Sequence, residues 1–413
     1  KCFFSGLRTN NFSKKKKIKK HSVKKTDVST IIYTSGTSGN PKGVVLTHNA
    51  ILDNLNSALD IIKEFEITEE RFISFLPLSH SYERMAGLYF PMLINAEIYF
   101  CTSLDRLLIE LKEVMPTIFS AVPRLYENIY KKVKKKFMGS NHMRNKLFDL
   151  ISGYIKNEDK FSPSYLFGKF LVKIFITKKI KNIFGGKIKA LISGGAALNP
   201  EIGLFFNKIG FCLLQGYGQT EASPLISCNK RSQNDPSTVG FPVKNVEVRI
   251  SNQNEILVKG NNVMLGYWKN KKLTKETIKK KWLHTGDLGF FDDEGRLIIN
   301  GRKKDLIVTS GGDNISVQKI ENILTEQIEI DQAVVFGDDK PYLIALLYSN
   351  DKLDDSKIKV ILRSINSKLN SIEKIRKYIL LEKPLTYEDG FLTQTQKIKK
   401  KEVFNFFKDK IED

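Results

Sequence analysis

From Asp27 to about Gly218 the chain repeats one pattern: a short apolar run, then a longer amphipathic stretch. The apolar runs fall at 28–33, 71–75, 97–100, 117–121 and 188–192, and amphipathic stretches at 49–63, 104–114 and 124–136 lie between them. Short runs without polar alternation read as strands buried on both faces, and a 3.6-residue apolar period reads as helix. Alternating strand and helix predict a parallel, helix-covered sheet, because a crossover helix returns the chain to the same end of the sheet. From 237 to 300 the pattern changes to strands at 246–250, 255–259 and 296–299 with turns at 252–254 and 292–295, which predicts local antiparallel sheet. After Gly301 an α+β pattern begins, with helices near 317–325 and 357–368 and strands near 333–336 and 343–348. The fold class is therefore α/β: a large α/β domain with a β-rich subdomain, then a small α+β domain. Residues 1–26 read as a basic arm, 27–302 as the large domain and 303–413 as the small one, and no internal repeat is evident.

Composition narrows the function classes. A chain of 413 residues with 41% hydrophobic content is long enough for two or three domains with their own cores. The 67 Lys and Arg outnumber the 45 Asp and Glu, for a net charge of +22. Such an excess concentrates anions near the surface, among them nucleotides, the phosphates of CoA or an anionic membrane; a plain preference for lysine at tolerant surface positions explains it equally well. Lysines are dispersed, and no helix-turn-helix, zinc finger or basic-aromatic RNA signature appears, so no nucleic-acid partner is expected. Cys2, Cys101, Cys212 and Cys228 form no CxxC pair, which fits reduced thiols in a cytoplasmic protein. No apolar run approaches the ~18 residues of a membrane span. The amino end is apolar before it is basic, the reverse of a signal peptide.

The segment with the most chemistry is YTSGTSGNPKG at 33–43, directly after a predicted strand. Gly36, Gly39 and Gly43 permit tight turns, the hydroxyls of Thr34, Ser35, Thr37 and Ser38 supply donors, and Lys42 adds a point charge. Exposed amides in such a loop make a nest for phosphate. A Walker loop needs Gly before its Lys and Ser or Thr after it, and here Pro41 and Gly43 stand in those places, so a P-loop NTPase is disfavoured.

That loop resembles the signature of the adenylate-forming (ANL) superfamily, and further segments follow in the family's order. SFLPLSHSYER at 74–84 resembles the acyl-binding segment of long-chain fatty-acid–CoA ligases, and PTIFSAVPRLY at 116–126 also resembles those ligases specifically. SGGAAL at 193–198 and QGYGQTE at 215–221 are similar to the adenine and Mg²⁺ motifs, HTGDLG at 284–289 to the ribose motif, and GRKKD at 301–305 to the hinge. The resemblance runs from about residue 27 to 411 and implies an ANL-type fold whose small carboxy-terminal domain is mobile. The family carries more chain ahead of the phosphate loop than the roughly thirty residues found here, so the amino-terminal part of the large domain is expected to be truncated.

The resemblance implies an ATP-dependent ligation in two steps. A fatty carboxylate attacks the α-phosphate to give acyl-AMP and pyrophosphate, then CoA displaces AMP. It assigns Thr220 to the α-phosphate, Glu221 to Mg²⁺, Tyr217 to stacking on adenine, and Gly194 and Gly195 to close backbone approach to the base. Asp287 is assigned to both ribose hydroxyls and Arg302 to the same sugar. His80 is placed where acyl carboxylate and nucleotide meet, although a lone histidine more often caps or packs. Lys397 is assigned to the α-phosphate and acyl carboxylate during adenylation, with Gln396 standing where glycine is common and Lys399 and Lys400 competing for the assignment. Lys304 falls at the hinge. An adenylating enzyme that loads a carrier protein, or an inactive nucleotide-binding fragment, stays open as an alternative. One stretch belongs to no motif: YLFGKFLVKIFITKK at 165–179 is apolar with interspersed lysines. It reads first as a core-facing helix with a basic outer side, and second as a segment that lies on anionic lipid.

Overall fold

The computed structural model describes residues 22–34, 41–137, 153–155, 163–311, 313–351, 354–393 and 398–412. The chain opens with β1 (Val28–Thr34) and β2 (Lys42–Thr47), which pair antiparallel. This corrects the expectation of parallel sheet at 28–33. Only residues 35–41 link the two strands, and a crossover of a dozen or more residues is needed to return a strand parallel. The helix His48–Ile62 follows, capped by the Thr47 hydroxyl, which accepts from Ala50 N at 3.1 Å. Its buried stripe of Leu55, Ala58, Ile61 and Ile62 enters the core cluster of the large domain.

Beyond it the α/β pattern holds. β3 (Arg71–Ser74) and β4 (Glu97–Phe100) are parallel. β5 (Ile118–Ala121), β6 (Ala190–Ser193) and β7 (Leu213–Gly218) are parallel in that order, and β8 (Leu225–Cys228) and β9 (Phe241–Pro242) extend the sheet antiparallel. The helices Pro123–Phe137 and Pro200–Lys208 cover it through Tyr126, Phe205 and Phe206, all fully or almost fully buried. Asn54 fastens the first helix to this sheet, donating to Leu225 O at 2.8 Å and accepting from Leu225 N at 3.1 Å.

The β-rich part holds β10 (Val246–Ile250), β11 (Glu255–Gly260), β12 (Gly266–Tyr267), β13 (Ile278–Lys279), β14 (Trp282–Phe291) and β15 (Leu297–Arg302). Its long strand β14 was not expected from the pattern, because the Thr285-Gly286-Asp287 motif interrupts the alternation. β12 leaves its neighbours and pairs with β2, Gly266 opposite Val45 and Tyr267 opposite Val44.

After Arg302 the chain builds separate cores. β16 (Leu306–Val308) and β17 (Asn314–Ser316) form a small ladder. β18 (Gln332–Phe336), β19 (Leu343–Tyr348) and β20 (Ile375–Leu380) form a three-stranded sheet with β18 and β19 antiparallel. The helices Val317–Thr325 and Asp355–Asn366 pack on it through Ile320, Leu324, Ile358 and Leu362. Among the described residues, contacts that tie this unit to the large one include Lys131 Nζ donating to Ile330 O at 2.7 Å, Asn199 Nδ2 to Glu326 Oε1 at 2.6 Å, and the pair of Lys135 with Asp351 at 2.9 Å. Cys101, Cys212 and Cys228 are free thiols. Among the described residues no helix is long and apolar enough to cross a membrane.

Candidate active site

The hairpin of β1 and β2 carries both ends of the predicted phosphate loop. Thr34 ends β1 and Lys42 begins β2, whereas Ser35, Gly36, Thr37, Ser38 and Gly39 lie outside the described residues. Lys42 Nζ sits 5.5 Å from the centre of the Tyr267 ring, a cation–π contact. β12 delivers that tyrosine, anchored by Trp268 N, which donates to Gly43 O at 2.7 Å. The Tyr267 hydroxyl donates to Glu221 Oε1 at 2.8 Å. Burial, then the Glu221 carboxylate, raises the pKa of this hydroxyl, so it stays a donor. Lys42, Tyr267 and Glu221 thus form one chain of contacts at the mouth of the loop.

Thr220 begins the short turn that follows β7, and its hydroxyl lies 2.9 Å from Ser81 Oγ. Ser81 opens the one-turn helix Ser81–Glu83 in the expected acyl segment. His80 caps that turn, its Nδ1 accepting from Tyr82 N at 3.3 Å, and burial lowers its pKa towards a neutral ring. The histidine is therefore a helix cap that stands one residue from the hydroxyl contact with Thr220. Beside it Glu83 is fully buried. Its Oε1 accepts from Ser74 Oγ at 2.6 Å and Phe75 N at 3.1 Å, while Oε2 has no partner. Burial without a full set of donors pushes its pKa up to about 7.

Gly194 follows β6, where a β-carbon would stand 2.8 Å from the Tyr82 ring. Its smallness therefore admits an aromatic from the acyl segment. Gly195 has φ +85°, and an added β-carbon there would meet only Val122 at 3.7 Å, so the peptide stays open to approach.

The ribose corner is the most tightly bonded part. Asp287, on β14, is 2% exposed. Its Oδ2 accepts from the Tyr217 hydroxyl at 2.6 Å, and its Oδ1 pairs with Arg302 Nε at 2.7 Å. Sheet register puts them there: Asp287 lies opposite Arg302 in the β14–β15 ladder. Thr285 Oγ1 accepts from Asp287 N at 3.0 Å and donates to Ile256 O at 2.7 Å, which fixes the carboxylate's backbone. The Asp287 carboxylate holds the Arg302 guanidinium above its usual pKa, and burial, then the same carboxylate, raises the Tyr217 hydroxyl well above 10. Tyr217 is therefore bound to the aspartate through its hydroxyl while its ring packs against the core cluster of the large domain.

The remaining assignments fall at or beyond the small unit. Lys304 is exposed in the turn after Arg302, where Asp305 N donates to Arg302 O at 3.0 Å. Lys397 lies outside the described residues, and Leu392 and Ile398 on either side of it pair as a bridge. Of its two rivals, Lys400 is taken by Glu321, at 2.9 Å. Among the described residues no cluster of three or more acidic, histidine or cysteine side chains could hold a metal. A single carboxylate at Glu221 suits Mg²⁺, a hard cation that keeps several waters and takes most other ligands from phosphate oxygens.

Sequence reading missed Ser81 and Tyr267. Ser81 sits inside a quoted motif, and its hydroxyl is as close to Thr220 as any group assigned there. Tyr267 carried no local signal, since only the pairing of β12 with β2, far apart in sequence, brings it to Glu221.

The family model described as AMP-binding enzyme matches residues 4–268, and that of the AMP-binding enzyme C-terminal domain matches 304–413. The chain belongs to the AMP-binding enzyme family. Within it, the chain groups with the long-chain-fatty-acid–CoA ligases. A ligase of that description from Mycobacterium bovis is 32% identical over 94% of this chain and 70% of its own length. Long chain acyl-CoA synthetase 4 of Arabidopsis thaliana is 33% identical over 80% of this chain, and the match spans about half (52%) of that protein. Among solved structures, ATP-bound MatB from Rhodopseudomonas palustris superposes with a TM-score of 0.71 at 22% identity, covering 94% of this chain and 69% of that one. The o-succinylbenzoate coenzyme A synthetase of Bacillus subtilis with AMP gives 0.66 at 22%, covering 92% and 70%. These two likenesses establish the ANL fold of this family member: a large amino-terminal domain and a smaller carboxy-terminal one.

Proposed function

We propose that this AMP-binding enzyme activates a long-chain fatty acid with ATP and passes the acyl group to CoA through an acyl-AMP intermediate. The carrying observation is the convergence on β7 and its turn. Tyr217, Thr220 and Glu221 are each bonded to a different part of the chain: Asp287 at 2.6 Å, Ser81 at 2.9 Å and Tyr267 at 2.8 Å. One short segment therefore joins the ribose corner, the acyl segment and the base of the phosphate loop.

In the first half-reaction a carboxylate oxygen of the fatty acid bonds to the α-phosphorus, and the bond to pyrophosphate breaks. Thr220 and Ser81 orient the α-phosphate and the acyl carboxylate, Lys42 offsets phosphate charge, and Lys397 is the donor to the transition state. The nucleophile is already an anion at neutral pH, so no general base is required, and positioning with charge compensation does the work. Glu221 would hold Mg²⁺, which when bound neutralises triphosphate charge. In the second half-reaction the CoA sulfur bonds to the acyl carbon, the bond to AMP breaks, and the thiol proton leaves to solvent. Asp287 keeps the nucleotide seated by its ribose through both. Lys304 is the hinge about which the small domain turns between them.

The test is ATP–pyrophosphate exchange driven by a series of fatty acids, followed by thioester formation with CoA or acyl carrier protein as acceptor. Exchange that depends on long acyl chains, with CoA preferred, supports the reading. Exchange driven by unrelated acids, or thioester formed only on the carrier protein, refutes it.

A further inference from the structure

The segment at 165–179 that no motif absorbed is built unlike an ordinary surface helix. It forms the helix Pro163–Val172 and continues through Lys173–Thr177 and Lys178–Ile183, a rod of about 30 Å at helical rise. Its inner side is anchored. Tyr165, Val172, Ile176 and Ile180 lie in the core cluster of the parallel sheet, and Thr177 Oγ1 donates to Ile209 O at 2.9 Å. The expectation of a core-facing helix therefore describes this inner side. The outer side is not simply basic. Leu166, Phe167, Phe170 and Ile174 are 57%, 54%, 58% and 47% exposed, and at their helical spacing they form one crest. Lys169, Lys173, Lys178 and Lys181 of the same rod are exposed as well. From 161 to 200 the sequence has seven lysines and no Asp or Glu.

A solvated helix face with two phenylalanines, a leucine and an isoleucine in water is unfavourable unless something covers it. The local charge selects the cover. Lysines interspersed with an apolar crest, on a stretch that itself carries no Asp or Glu, match a surface that is apolar beneath and anionic above. Long lysine stems let the ammonium groups rise to a headgroup layer while the crest enters the acyl boundary. We propose that the outer face of the helix 163–183 docks this enzyme in plane on anionic bilayers. The proposal extends the fatty-acid reading, since such bilayers are where a long-chain acid partitions, but its geometry stands apart from the active site.

The test is flotation of the full chain with phosphatidylcholine vesicles, with and without phosphatidylserine, at low and high salt and without ATP, CoA or fatty acid. The wild type should float with the anionic vesicles and be released by salt. The triple variant Leu166→Gln, Phe167→Gln, Phe170→Gln alters exposed side chains only, so its melting temperature should hold while vesicle partition falls by at least about ten-fold. A control, Lys271→Gln, Lys272→Gln, Lys275→Gln, removes the same number of side chains from an exposed helix elsewhere and should float as the wild type does. Equal flotation of wild type and triple variant, or an equal loss in the control, would overturn the proposal, the latter by tracing binding to net charge. A concentration-dependent dimer that the triple variant abolishes, seen by light scattering, would overturn it too, by giving the crest to a second copy. Exchange with a soluble acid is read separately, so its absence with flotation intact would sink the catalytic reading and leave docking standing.

Discussion

Replacing Asp287 by Asn tests whether the buried carboxylate holds ribose or only ties two strands together. The change keeps the shape and exchanges one acceptor oxygen for a donating amide. In the folded protein that group accepts the Tyr217 hydroxyl at 2.6 Å and pairs with Arg302 at 2.7 Å. Arg302 keeps 44% of its side-chain surface, so water still hydrates the guanidinium once the charge opposite is lost, and the ion pair accounts for only about 1 kcal/mol. The fold should survive. A ribose hydroxyl donating to a carboxylate contributes roughly 1.5–3 kcal/mol, a factor of about 10 to 150 in affinity. The assay is calorimetric titration of AMP against 3′-deoxy-AMP. The wild type should prefer the ribonucleotide by that factor, and Asp287→Asn should bring the ratio towards one by weakening AMP alone. If the variant loses both nucleotides in proportion and keeps the ratio, Asp287 is a structural tie and the ribose assignment fails.

Three further outcomes are expected. Glu83 holds its proton in the fold up to about pH 7, whereas the free side chain releases it near 4.5, so stability from that proton is complete below 4.5 and drains as pH rises through 7. Glu83→Gln should remove roughly 3 kcal/mol of this pH dependence, seen as a flatter profile of urea unfolding; an unchanged slope would contradict the buried-acid assignment. Tyr267→Phe keeps the ring beside Lys42 and deletes the donor to Glu221, so half-saturation by Mg²⁺ in the exchange assay should rise by about ten-fold with ATP affinity in its absence unaltered. An unmoved Mg²⁺ curve would detach Glu221 from the metal. Lys397→Ala should slow adenylation by about 10²–10³ and spare thioester formation from supplied acyl-adenylate, and equal loss of both half-reactions would remove it from the first step.

Much of this protein could be read along the chain because its information is local. Apolar runs of the right length gave β3, β4, β5, β18 and β19 at or within a residue or two of their observed ends, and the helix at 317–325 is found at those bounds. Local pattern failed where a partner far along the chain decides the outcome. Residues 28–33 look like any buried strand, and nothing in them tells whether the neighbour runs parallel. β14 escaped notice because its middle residues are chosen for Asp287 and not for alternation.

By itself the sequence determined which chemical groups are present and in what order: the hydroxyl-rich segment, the acid after Thr220, the aspartate two residues beyond Thr285. Those are covalent facts, and a motif keeps its spacing whatever the fold does. Only the tertiary structure decided which side chains touch. It set Tyr267 on Glu221, Ser81 on Thr220 and the Tyr82 ring against Gly194, and it turned four apolar side chains of one helix outward. Such contacts depend on strand register and helix rotation, which packing free energy summed over the whole core selects, and no single stretch of chain carries that sum.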